Sequence, residues 1–350
     1  MSMKGRRFYM MKKQSAILLF LLLATFLAAI GVSYAGGQAV STRTIIDMNG
    51  KTVMIPAKVN RVAVGGAINQ MVLMLGGVDK IVATSTVVQS NPMFVKIYPK
   101  IKNVAAPFVI TDANIEELLK TKPDVVFGGN AKMESLGLPV IGLSLRNPAE
   151  IERAVMLIGK ILGPMEEKKA LQFCRYYKSN MNWVSQRTKS LPPDKRVKVF
   201  YAGNKGTYTD GKDSITTSWI EMAGGINVAA AAGIGGLGRE VSMEELVTWN
   251  PDVIIMTDPA LKNKILQDYQ WKKLNAVKNN RVYVNPKGVY LWSVRSGEEA
   301  LQVLWAAKVI QPALFGDLNL NEAVHEFYKT YYNYALSQAE LEEILAGDSI

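Results

Sequence analysis

The chain has 350 residues, one cysteine, one histidine and a formal charge of +11. That length is too great for one small core and comfortable for two domains. A single cysteine excludes an internal disulfide, and one histidine with no cysteine cluster gives no imidazole or thiolate cage for a transition metal. The positive charge is spread along the chain without the Lys/Arg and aromatic interleaving of a strand-binding groove, so no nucleic-acid partner is expected.

Residues 1–35 read as a cleavable signal peptide. Arg6, Arg7, Lys12 and Lys13 form a basic start, "AILLFLLLATFLAAIGV" an apolar middle, and "SYA" a small-residue cut site after Ala35. The leader carries five of the 41 cationic residues and none of the 30 acids, so the charge falls to +6 without it. No cysteine stands at the cut, which points to a freely diffusing periplasmic protein. No later stretch has the ~20 continuous apolar residues of a membrane span.

"RTIIDMNGKTVMI" (43–55) alternates around Asn49-Gly50, a hairpin signal in which both central residues take positive φ. "RVAVGG" and "KIVATST" then read as buried strands flanking the helix "AINQMVLMLGG". "NIEELLKTKPDVVF" is helix then strand, and "PVIGLS" one more strand. "NPAEIERAVMLIGKILG" is helical, and Pro164 opens a second run to about Ser190. Along it Ala170, Cys174, Tyr177, Met181 and Val184 form one apolar stripe, so Cys174 reads as a packed hydrophobe. At ~1.5 Å per residue this helix spans most of a domain's width. Strands and helices alternate again in "RVKVFYAGN", "SITTSWIEMAGG", "NPDVIIMTD" and "NRVYVNP", and the last 55 residues are helical. The alternation indicates parallel α/β layers.

One pattern occurs twice, as "NIEELLKTKPDVVF" and "SMEELVTWNPDVII". In each, Asn114 or Ser242 caps the helix and Glu117 or Glu245 completes a capping box. The capping role leaves Glu116 and Glu244 without employment. Their equivalent positions on two similar lobes would set one carboxylate on each shoulder, suited to paired basic sockets in another protein.

The ordered set formed by the hairpin, "RVAVGGAINQMVLMLGGVDKIVATS", the repeated helix–strand, "KILGPMEEKKAL", "EMAGGINVA" and "NRVYV" resembles the ABC-importer solute-binding family that captures ferric siderophores, haem and cobalamin. The resemblance covers about residues 43–335. It implies two Rossmann-like α/β lobes with parallel sheets, joined by one long α-helix, with the ligand cleft between lobes. The expected division is 36–148 for the first lobe, 149–192 for the linking segment and 193–350 for the second lobe with its terminal helices. It further implies a monomer that docks through Glu116 and Glu244 on an inner-membrane permease dimer with ATPase subunits.

Carried onto this chain, the resemblance puts the ligand against Gly66, Ala67, Thr84, Ser85, Gly129 and Asn130 on one wall. The opposite wall would hold Tyr201, Asn204, Tyr208, Asp258, Lys287, Tyr290, Trp292 and Arg295. Aromatic faces with a guanidinium suit an anionic metal chelate such as a ferric siderophore, haem or corrinoid. A bare oxyanion such as molybdate or tungstate is the alternative, because glycine-led helix starts at "VGGAIN" and "FGGNAK" offer amides to anions. His325 lies on a terminal helix outside the cleft, and no direct metal site or cofactor is expected. "GIGGLG" (Gly233–Gly238) follows no strand and lacks the context of a dinucleotide site, and no nucleophile motif marks an enzyme. A single stiff rod predicts small hinge motion.

Overall fold

The computed structural model describes residues 41–109, 113–203 and 205–347. The signal-peptide reading and Asn204 therefore lie outside the described residues. The chain opens with a hairpin of β1 (Thr42–Ile46) and β2 (Thr52–Pro56). Its turn differs from the two-residue form expected: of Asn49 and Gly50, only Gly50 has positive φ (+81°). The Asp47 carboxylate organises the loop instead, accepting from the amides of Asn49 (2.9 Å) and Lys51 (2.8 Å) through Oδ1. Its Oδ2 accepts from Gly142 (2.9 Å), which pins the hairpin to the first lobe.

That lobe holds a five-stranded parallel sheet in the order β5-β4-β3-β6-β7. The strands are β3 (Val62–Val64), β4 (Ile81–Ser85), β5 (Ala105–Phe108), β6 (Val125–Phe127) and β7 (Val140–Ile141). The second lobe has a parallel sheet in the order β10-β8-β12-β13, from β8 (Val197–Ala202), β10 (Gly225–Asn227), β12 (Val253–Met256) and β13 (Val282–Val284). A small antiparallel pair, β9 (Tyr208–Thr209) with β11 (Arg239–Glu240), sits beside it. Strands β3, β6 and β12 are buried along their whole length, as expected of parallel strands covered on both faces.

In each sheet the chain builds outward on one side and then returns to the other side of its first strand. The order reverses between β3 and β6 and again between β8 and β12. A crevice opens at the carboxyl ends of strands where such a reversal occurs.

The principal helices, in chain order, are α1 (Ile68–Met74), α2 (Ile115–Lys120), α3 (Pro148–Leu162), α4 (Pro164–Thr188), α5 (Ile215–Met222), α6 (Met243–Trp249), α7 (Glu299–Ile310), α8 (Leu320–Tyr332) and α9 (Gln338–Ala346). Helix α4 is the long rod, with 25 residues, or about 38 Å. Its expected stripe is buried at Ala170, Cys174, Tyr177 and Val184, joined by Phe173, while Met181 is partly buried against the same core. Helix α3 packs on α1 in the first lobe, whereas α4 packs on α5 and α7 in the second. No described helix is long and apolar enough to cross a membrane.

The terminal helices do not serve the second lobe alone. Helix α8 packs on α1, the Tyr332 hydroxyl bonds the Gln70 side chain, and Lys96 pairs with Glu340 at 2.7 Å. One hydrophobic cluster consequently runs through both lobes, from Val62 and Met71 through Phe173 to Trp219, Leu301 and Phe327.

Two adjacent acids are sealed in this core. Burial pushes the Glu298 carboxyl up to about 7 against the pull of its hydrogen-bond donors, Tyr328 first. Burial likewise pushes Glu299 up to about 8, offset only in part by the Tyr177 hydroxyl. An acid raised by folding binds its proton more tightly folded than unfolded. Stability is then highest where both states are protonated, below about 4.5, and falls as pH climbs through 7 and 8. Thermal denaturation from pH 5 to 8.5 should show this decline, with a shallower slope in Glu299→Gln; an unchanged slope would contradict the assignment. Because the lobes share one core, small-angle scattering should give the same radius of gyration for free and loaded protein within error. A marked compaction would contradict it.

Candidate ligand-binding site

Loops at the carboxyl ends of the two sheets border adjoining chambers. Beside the first-lobe crevice lies a cavity of about 490 Å³ lined by Gly65, Gly66, Ala67, Ile68, Ser85, Val87, Val109 and Leu145. Tyr290, Val294 and Arg295 close it from the other lobe. A side chamber of about 300 Å³ extends past Phe108 to Gly128, Gly129 and Asn130 after β6. A chamber of about 620 Å³ lies over the second-lobe crevice, lined by Tyr201, Gly203, Tyr208, Asp210, Leu237 and Thr257 among others. It shares Val294 and Arg295 with the first cavity, so Arg295 stands where the two lobes' chambers meet.

Several features suit the first cavity to negative charge. Among the described residues no carboxylate lines it. Arg295 has neither an ion pair nor a hydrogen bond among the described residues, yet its charge is felt by both Tyr201 and Tyr290. Its backbone sits at φ +51°, a left-handed conformation that costs a non-glycine residue roughly 1–3 kcal/mol and concentrates at functional positions. Ser85 is 5% exposed, and its hydroxyl is buried without a partner. An orphaned buried hydroxyl costs about 1–3 kcal/mol unless something accepts from it. The amides of Gly66 and Ala67 likewise donate to no protein group among the described residues.

The glycine loop is held from behind. Asn69, fully buried, donates through Nδ2 to the carbonyls of Val64 (3.1 Å) and Gly66 (3.2 Å) and accepts from the Thr84 hydroxyl at 2.8 Å. Tyr290 leans over the loop from the second lobe: a Cβ built on Gly66 would stand 3.7 Å from its hydroxyl. Burial raises the Tyr290 pKa, and Arg295 opposes the shift. Across the cleft the Tyr201 and Ser293 hydroxyls share a buried hydrogen bond of 3.0 Å.

The residues expected from sequence thus divide. Gly66, Ala67, Ser85, Tyr290 and Arg295 gather on the first cavity, Gly129 and Asn130 on its side chamber, and Tyr201 and Tyr208 on the second-lobe chamber. Four described residues line none of these three. Thr84 is fully buried behind the loop, bonded to Asn69. Asp258 caps the helix Pro259–Gln267 by accepting from Ala260 at 2.9 Å, and its neighbour Thr257 faces the chamber instead. Lys287 pairs across a tight turn with Leu291, and Trp292 is fully buried in the core. The apolar walls Val87, Val109, Leu145 and Val294 were not anticipated. Val87 and Val109 are 54% and 59% exposed at the cleft mouth, unusual for valine.

The repeated helices differ at their caps. Ser242 and Glu245 form the complete capping box. Asn114 accepts from Glu117 N, but its own amide donates to Pro107 O (2.8 Å), so the reciprocal half expected of Glu117 is not needed. Glu116 and Glu244 are both exposed in the first turns of α2 and α6. Cys174 donates to the Glu152 carbonyl, and burial pushes its thiol up to about 12, which makes it inert at neutral pH. His325 lies on α8, and no group of three or more metal-ligating side chains occurs among the described residues. The "GIGGLG" segment is loop ahead of β11, fastened by Gly238 N to Asp210 Oδ1 at 2.9 Å.

Comparison with known proteins bears on the whole arrangement. Molybdate-binding protein MolA of Haemophilus influenzae is 29% identical over 346 residues, covering 89% of this chain and 95% of that protein. The solved structure of MolA bound to molybdate has a TM-score of 0.76 at 27% identity, over 84% of this chain and 99% of that one. A periplasmic solute binding protein from Veillonella parvula has a TM-score of 0.75 at 30% identity, over 87% and 97%. The periplasmic binding protein family model matches residues 62–288. That span starts at the first residue of β3 and ends just beyond β13, taking in both lobes and the rod between them, so the chain belongs to the periplasmic binding protein family.

Proposed function

We propose that the protein is the substrate-binding component of an ABC importer and that its cargo is a small oxyanion of the molybdate or tungstate class. The observation behind this is a cavity bordered by both Arg295, which has no ion pair among the described residues, and the orphaned, buried Ser85 hydroxyl, with no carboxylate lining it among the described residues. A tetrahedral oxyanion offers four acceptor oxygens and no donors, the complement of a guanidinium, a hydroxyl and free amides. The sequence reading put a metal chelate first. The likeness to a molybdate-binding protein along almost its full length favours the oxyanion instead. Arg295 also borders the second-lobe chamber, which leaves a larger anionic chelate as the second reading.

The protein carries its cargo without transforming it. Its leader would deliver it as a monomer to the periplasm, where Glu116 and Glu244 would seat on arginines of an inner-membrane permease dimer with its ATPase subunits. Each glutamate has an exposed aliphatic residue one turn on, Leu119 (41%) and Val247 (39%), so the two shoulders match in shape as well as charge.

Calorimetric titration with molybdate and tungstate should show tight binding, and ferric chelates should show none; the reverse order would overturn the oxyanion assignment. Arg295→Ala should weaken molybdate binding by ~2 kcal/mol or more, about 30-fold. Unchanged affinity would remove Arg295 from the site. Glu116→Ala combined with Glu244→Ala should abolish uptake in cells while molybdate affinity stays at the wild-type value; a parallel loss of both would discredit the docking role.

A further inference from the structure

The turn that carries Tyr290 is wrapped around a buried carboxylate. Glu298 is fully buried, and three donors converge on it: Tyr290 N to Oε2 at 2.7 Å, Val289 N to Oε1 at 3.2 Å, and the Tyr328 hydroxyl to Oε1 at 2.7 Å. No cation pairs with it among the described residues. The backbone is pressed so close that a Cβ on Gly288 would stand 2.7 Å from Glu298 Oε1 and 1.9 Å from the Tyr328 hydroxyl. Gly288 closes the turn by donating to the Tyr290 carbonyl at 3.0 Å. The far end of the ligand-facing stretch is tied down too. Gly297 N, two residues beyond Arg295, donates to Gln70 Oε1 at 2.7 Å, and Gln70 belongs to α1 just behind the glycine loop.

We propose that Glu298 is a positioning residue of the ligand site: its carboxylate fixes the turn that presents Tyr290 to Gly66, and so sets the affinity for the oxyanion. This rests on the Arg295 cavity being the ligand site. Glu298 lines none of the three chambers, so its effect on binding passes through the Tyr290 backbone. Glutamine at this position keeps the volume but replaces one acceptor by a donor. One of the three converging N–H and O–H groups then loses its partner, and the Tyr290 amide bonds the oxygen that serves it alone.

The test combines a mutant cycle with a local probe. Molybdate affinity is measured for wild type, Glu298→Gln, Tyr290→Ala and the double variant. Glu298→Gln should bind at least tenfold more weakly, yet cost under twofold once Tyr290 is already alanine. In protein labelled with 3-fluorotyrosine, the ¹⁹F line that Tyr290→Phe removes should be displaced by Glu298→Gln in the ligand-free state, while the Tyr201 line stays in place. Wild-type affinity, additive losses or an unmoved Tyr290 line would each overturn the proposal. Should Glu298→Gln fail to fold, Glu298→Asp keeps the carboxyl group while withdrawing it by one methylene, and the same line must move. If molybdate does not bind the wild type at all, the oxyanion reading fails, while the ¹⁹F displacement still decides the positioning role.

Discussion

A parallel sheet whose strand order reverses must leave a gap, because the segments following the two central strands depart to opposite faces. This protein does so twice, at β3/β6 and at β8/β12, and the chambers beside the two gaps meet at Arg295. The rest of the structure serves that arrangement. The glycines after β3 let backbone amides border the cavity, and Arg295 takes a strained conformation where the chambers meet. The strain persists because the neighbouring stretch is tied at Glu298 and at Gln70.

The polar groups between the lobes are arranged economically. Gln70 joins Gly297 and Tyr332, Tyr332 stacks edge-on against Tyr328 at 5.0 Å, and Tyr328 bonds Glu298. Each member occupies a partner's hydrogen-bonding capacity, which a buried network needs if it is not to destabilise the core around it. Other buried groups, among them Ser296 and Glu299, have no protein partner, and of these orphans Ser85 borders the first cavity.

Much of the fold was legible because its signals are local. Alternation of Val/Ile-rich strands with helices, glycines at helix ends and the twice-written helix–strand pattern need only a short window of sequence. Strand β5 escaped because "AAPF" has neither a β-branched run nor a proline-free interior. At the ends of β4 and β12 the sequence reading came within one residue of the chamber linings. Sequence locates the end of a strand, but successive side chains there point to opposite sides. Thus Ser85 reaches the cavity while Thr84 bonds behind the loop, and Thr257 reaches it while Asp258 caps a helix. The bond from Gln70 to Tyr332 spans 262 residues and leaves no trace in any local pattern.

The return of α8 and α9 to the first lobe bears on how the chain acquires its shape. Residues 62–141 form a complete sheet early in the sequence, but part of the cover for α1 arrives only with Tyr332, and Lys96 waits for Glu340. Contacts between such distant points slow folding, since a long loop must close before they form. The first half therefore acquires its last packing partners only once the final helices have been made.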